Sequence, residues 1–73
     1  MRKLVVHLTD GSTDQWEDDV STPNYIARHD YEVSPEEALR VSRVLRRTDD
    51  ESESRHEVGY YRPDQWTRVR FED

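Results

Sequence analysis

The stretch that decides the fold is Ser34–Arg47, SPEEALRVSRVLRR. Ser34 followed by Pro35 and, three residues on, Glu37 is the signature of a helix N-terminus. The hydroxyl would cap the first turn, Pro35 would occupy the first helical position, and Glu37 would complete a capping box. Ala38, Val41 and Leu45 then fall on one stripe at helical spacing, with Leu39 and Val44 beside it. Glu36 and Glu37 stand at the positive end of the helix dipole, and Arg46 and Arg47 at the negative end. The spacing predicts a helix ending near the acidic stretch TDDESESR, residues 48–55, which reads as a flexible loop.

On either side of this segment the pattern changes to period two. Leu4, Val6 and Leu8 alternate as one face of a strand, and Asp10-Gly11 supplies a turn in which Gly takes a positive φ. A three-residue loop with a Gly bulge would pair Leu8 with Ser12, Val6 with Asp14 and Leu4 with Trp16. Trp16 then joins the apolar face, whereas a tighter turn would move it to the other side. Pro23 breaks the chain, and YIARHDYEV, residues 25–33, alternates as a third strand. The tail reads as a second hairpin around Arg62–Gln65. A four-residue loop there pairs Tyr61 with Trp66, Tyr60 with Thr67, Val58 with Val69 and Glu57 with Arg70.

The expected fold is therefore a single α+β domain over residues 1–73, an antiparallel sheet of four or five strands with one helix packed on one face. Its expected core is Leu4, Val6, Leu8, Trp16, Tyr31, Val33, Ala38, Val41, Leu45, Val58, Tyr60, Val69 and Phe71. That core is thin, so a homodimer burying more apolar surface is expected.

Composition narrows the function classes. The chain has 73 residues and no Cys, which excludes disulfides and thiolate chemistry or thiolate metal ligation within it. Its longest fully apolar run is Leu4–Val6, too short to span a bilayer as a helix. MRKLVV lacks the apolar core of a signal peptide, and the expectation is a cytoplasmic protein without membrane contact. Seventeen carboxylates outnumber eleven bases for a net charge of −6. Ten of those bases are Arg, and Lys3 is the single Lys. Residues 1–37 carry all of the net charge, while residues 38–73 balance to zero. Carboxylates that hold water and cations in concentrated salt would explain such a bias, and a high-GC genome would also favour Arg over Lys. In this composition, HLTDGSTDQWEDDV and GYYRPDQWTRVRFED resemble the short acidic hairpins of small haloarchaeal and haloarchaeal-virus proteins. The resemblance implies a salt-adapted chain and carries over no functional residue.

Candidate sites are few. In a helix, Arg40, Arg43 and Arg47 would form one row opposite the buried stripe, able to grip phosphates or acidic groups, or simply to face solvent. On the outer face of the predicted second hairpin, Tyr61, Trp66, Arg68 and Arg70 would gather, with Arg62 at the turn. Aromatics beside arginines suit a protein contact or base stacking, or a face that a neighbouring segment of the chain or a second subunit covers. His7, His29 and His56 could meet with Asp14 or Asp30 around a metal only if their strands converge, since their spacing matches no short metal motif. Asp18-Asp19 and Asp49-Asp50 read as solvated surface. No catalytic constellation and no cofactor motif is present. The sequence thus points to a non-enzymatic, self-associating protein-interaction module acting through Tyr61, Arg62, Trp66, Arg68 and Arg70. The second reading is a nucleic-acid-binding regulator using Arg40, Arg43, Arg47, Arg68 and Arg70.

Overall fold

The computed structural model describes residues 2–20, 23–50 and 52–73. It is all-β among these residues: β1 (Lys3–Leu8), β2 (Thr13–Glu17), β3 (Tyr25–Val33), β4 (Leu39–Arg47), β5 (Glu53–Tyr61) and β6 (Trp66–Glu72). They form two antiparallel three-stranded sheets, β2-β1-β6 and β3-β4-β5. The α+β expectation is overturned, because the segment read as a helix is the central strand of the second sheet.

The first hairpin and the third strand match the sequence reading. Leu4 pairs with Trp16 and Val6 with Asp14. The Leu8 N–H donates to the Ser12 carbonyl at 2.9 Å, and Gly11 sits at φ 92°. Strand β3 spans the expected residues.

The turn at Ser34–Ala38 explains why the helix signals misled. It is a three-residue loop of the same construction as Thr9–Gly11. The Ser34 N–H donates to the Ala38 carbonyl at 2.9 Å, and the Glu37 N–H donates back to the Ser34 carbonyl at 2.9 Å. Pro35 presets the φ that the second position of such a turn requires. Ser34 Oγ accepts from the Ala38 N–H at 3.1 Å, a local bond that a helix cap and a turn can both use. Glu37 occupies the place that Gly11 holds in the first loop, with φ 68°. Beyond it, β4 is a strand because tertiary burial overrides local propensity. At period two, Leu39 and Val41 point to one side and both are fully buried, while strands flank β4 on both sides.

The C-terminal hairpin is also corrected. Strand β5 pairs with β4, and β6 pairs with β1, with Val6 opposite Val69 and Lys3 opposite Glu72. The turn at Arg62–Gln65 therefore carries the chain from one sheet to the other. The expected acidic loop shortens, since β5 begins at Glu53; Glu51 lies outside the described residues.

The sheets meet face to face. Leu4 and Val6 pack with Leu39 and Val41, ringed by Leu8, Trp16, Tyr61, Trp66 and Val69. Strand β2 crosses the second sheet: Asp14 meets Tyr61 of β5 at one end, and Asp19 forms a bridge to Ala27 of β3 at the other. Several expected core residues lie at its margins, including Val33, Val58, Tyr60 and Phe71, all at least 39% exposed. Val5, on the opposite face of β1, is buried instead. It lies between its register partners Gln15 and Arg70, whose long stems can cover apolar surface.

Because a side chain with a Cβ is disfavoured at positive φ, Glu37→Gly should stabilise the fold by roughly 0.5–1 kcal/mol, and Glu37→Val should destabilise it. Urea midpoints of the three proteins check this. A lower midpoint for the Gly variant would contradict the turn geometry.

Candidate functional site

The residues singled out from the sequence do not form one surface. Tyr61 and Trp66 pack against the core. The Tyr61 hydroxyl donates to Asp14 Oδ2, and its ring meets Trp16 edge-on at 6.3 Å between centroids. Burial, with that hydrogen bond, pushes the phenol above its usual range. The Trp66 indole donates to the Glu37 carbonyl at 2.9 Å, tying β6 to the β3–β4 turn. The expectation that Trp66 faces away from the core is thereby corrected. Arg62 sits at its turn, 3.8 Å from Asp64. Arg68 and Arg70 align with His7 and Val5 on the outer side of the first sheet. There Arg70 donates to His7 Nε2 at 3.2 Å and pairs with Glu72 at 2.6 Å.

The arginine row also dissolves, because period two replaces period 3.6. Arg40 lies on the outer face of the second sheet, 5.9 Å from the Tyr60 ring and 3.7 Å from Glu57. Arg43 and Arg47 fall on the opposite face by alternation, and Arg47 is occupied by Asp49 at 3.0 Å. The histidines stay apart: His7 is on the first sheet, and Arg43 stands between His29 and His56 in the second. Among the described residues, no cluster of three His, Asp or Glu is arranged to hold a metal ion. Nor does any helix there have the length and apolarity to cross a membrane.

Sequence reasoning missed a feature built from backbone. In the β3–β4 ladder, the Ser34/Ala38 pair bonds inward, so by alternation Ala27, His29 and Tyr31 direct their backbone groups outward. These are largely satisfied. Ala27 exchanges two bonds of 2.8 Å with Asp19. The His29 N–H donates to Asp18 Oδ1 at 3.0 Å, and its carbonyl accepts from Arg2 at 3.3 Å. The Tyr31 N–H donates to Asp30 Oδ1 at 2.8 Å. Edge β3 is closed.

Edge β5 is open. The Arg47 N–H donates to the Ser52 carbonyl at 2.9 Å, so the same alternation turns Glu53, Arg55 and Glu57 outward. Among the described residues, nothing bonds those outward groups. Val58 forms a bulge opposite the Val41/Ser42 step, and Val58 and Tyr60 are 42% and 51% exposed beside the edge. The one signal available in sequence was ESRHEVGYY itself, a strand-length run with no apolar alternation before Val58.

The closing of β3 depends on a buried ion cluster. Asp18 and His29 are each 7% exposed, and Arg2 Nε donates to Asp18 Oδ2 at 3.0 Å while its guanidinium lies 4.2 Å from the Phe71 ring centroid. His29 Nδ1, 3.6 Å from Asp18 Oδ1, has no hydrogen-bond partner among the described residues. Burial holds the imidazole below its ordinary 6.5, Asp18 pulls the other way, and Arg43 and Arg2 oppose its protonation.

Comparisons with protein-family models, curated proteins and solved structures return no match to this chain.

As pH falls below 6.5, the unfolded chain takes up a proton at position 29 before the folded chain does. Stability at this site should therefore be full above 6.5 and decline as pH falls through the lowered folded value. Urea midpoints between pH 7.5 and 5 should show the decline in wild type and a shallower slope in His29→Gln. Asp18→Asn should cost roughly 1–3 kcal/mol at neutral pH, since it weakens the bonds to Arg2 and His29.

Proposed function

We propose that the chain is a protein-interaction module acting by binding, and that it accepts an extended strand along the open edge of β5. One observation carries this reading: among the described residues, the outward backbone groups of Glu53, Arg55 and Glu57 in β5 have no partner, while those of Ala27, His29 and the Tyr31 N–H in β3 are occupied by Asp18, Asp19, Asp30 and Arg2. An open edge supplies main-chain hydrogen bonds, and neighbouring side chains supply selectivity. Tyr60 and Val58 border the edge as exposed apolar surface. The contact surface thus moves from the side chains of Tyr61 and Trp66, which serve the core, to the outward backbone of β5 ahead of them. The dispersal of Arg40, Arg43, Arg47, Arg68 and Arg70 over three faces deprives a nucleic-acid reading of a common groove or stripe.

A display library of short random peptides, panned on the wild type with counter-selection on Arg55→Pro, tests this. The Arg55 N–H points away from β4, so Pro is tolerated there by the sheet but removes a donor needed by an added strand. Extended peptides that bind wild type and lose the Pro variant are expected. Equal binding to both, or enrichment of none by wild type at a dilution where it is monomeric, would sink the proposal.

A further inference from the structure

We infer that the strand which the β5 edge accepts is β5 of a second copy of this chain, paired antiparallel about a two-fold axis at His56. This rests on the strand-accepting reading above and names its partner. In a two-fold antiparallel pair, the numbers of facing residues sum to a constant. The outward residues of β5 before its bulge are Glu53, Arg55 and Glu57, and outward residues must face each other to exchange bonds. Centring the axis on Arg55 would place Arg55 against Arg55 and Glu53 against Glu57, like charges throughout. Centring it on Glu57 would set Glu57 against Glu57. Centring it on Ser54 would bring Glu53 against Arg55, but runs the pair into the β4–β5 turn at residues 48–50.

Centring on His56 places Arg55 of each copy opposite Glu57 of the other, twice over. These are hydrogen-bonded positions, so four backbone bonds accompany two cross-strand ion pairs. Both side chains lie on the outer face, by register with Val44 and Ser42. Their existing partners compete little: Arg55–Asp30 and Arg40–Glu57 are each 3.7 Å apart with more than half of every side chain exposed. The Val58 bulge shifts the outward positions beyond it and ends the ladder. The product is one bounded six-stranded sheet, β3-β4-β5 continued into its symmetric copy, and not an open-ended stack. Its outer edges are both β3, the edge already occupied at Ala27 and His29 by Asp18, Asp19 and Arg2.

Sedimentation equilibrium over a wide concentration range tests the register, with circular dichroism confirming that each protein is folded. Wild type should form a dimer. Arg55→Glu and Glu57→Arg, each of which sets like charges against each other twice, should weaken it about tenfold or more. The doubly exchanged protein, Arg55→Glu with Glu57→Arg, should recover dimerisation. An equimolar mixture of the two single variants should form a heterodimer, since every facing pair is then opposite in charge. A folded wild type that stays monomeric while β5-edge peptides still bind would overturn the second-copy assignment and leave strand acceptance standing. Absence of both dimer and peptide binding would overturn both. Dimers indifferent to all the charge changes would place the contact elsewhere and overturn the register.

Discussion

Four side chains, Leu4 and Val6 from one sheet and Leu39 and Val41 from the other, are buried completely, and neither sheet can shield its own pair from water. Each three-stranded sheet has one apolar face, and only the other sheet covers it. A chain of this length buries a modest share of its surface, so the crossing must be held by more than these contacts. The polar links do that at the corners: Asp14 with Tyr61, Trp66 with Glu37, and Asp18 with Arg2 and His29. Gly59 belongs to the same constraint. A Cβ there would stand 3.2 Å from the Trp16 ring, so at the close approach of β2 to β5 any larger residue would push that ring back by a few tenths of an ångström.

Where local pattern and global partner agree, the sequence could be read directly. The alternation of Leu4, Val6 and Leu8 with Gly11 at the turn led to the observed register, and residues 25–33 led to β3. The helix reading failed for a specific reason. Two loops of identical construction differ at the left-handed position, Gly11 in one and Glu37 in the other. Gly at 37 would have announced a hairpin; Glu there completes a capping box that is never formed. The second failure was one of partner choice. Tyr61 to Trp66 made a self-consistent local hairpin, but β5 pairs with β4 and β6 with β1, and no local pattern encodes that choice of partner.

The candidate site lay beyond reach of side-chain reading for a related reason. Tyr61 and Trp66 look like surface aromatics beside arginines until the crossing of the sheets turns them inward. The open edge is a property of hydrogen-bonding direction: it exists because β5 has a neighbour on one side only. Asp18 shows the complementary case. Beside Asp19 it reads as solvated acid, yet it is buried and closes an edge that would otherwise compete for partners. Carboxylates that serve as backbone acceptors are indistinguishable in sequence from carboxylates that hold water.

The pairing of β1 with β6 brings Lys3 opposite Glu72 at one end of an antiparallel ladder. Tension applied through those two residues would act across the ladder and load its bonds one after another, as in opening a zipper. Strands pulled lengthwise past each other share the load among all their bonds at once. The ladder is thus mechanically compliant along the line joining Lys3 and Glu72, whatever the thermodynamic stability of the fold. The β5 edge lies on the other sheet, so a partner held there would be anchored away from the first bonds to part.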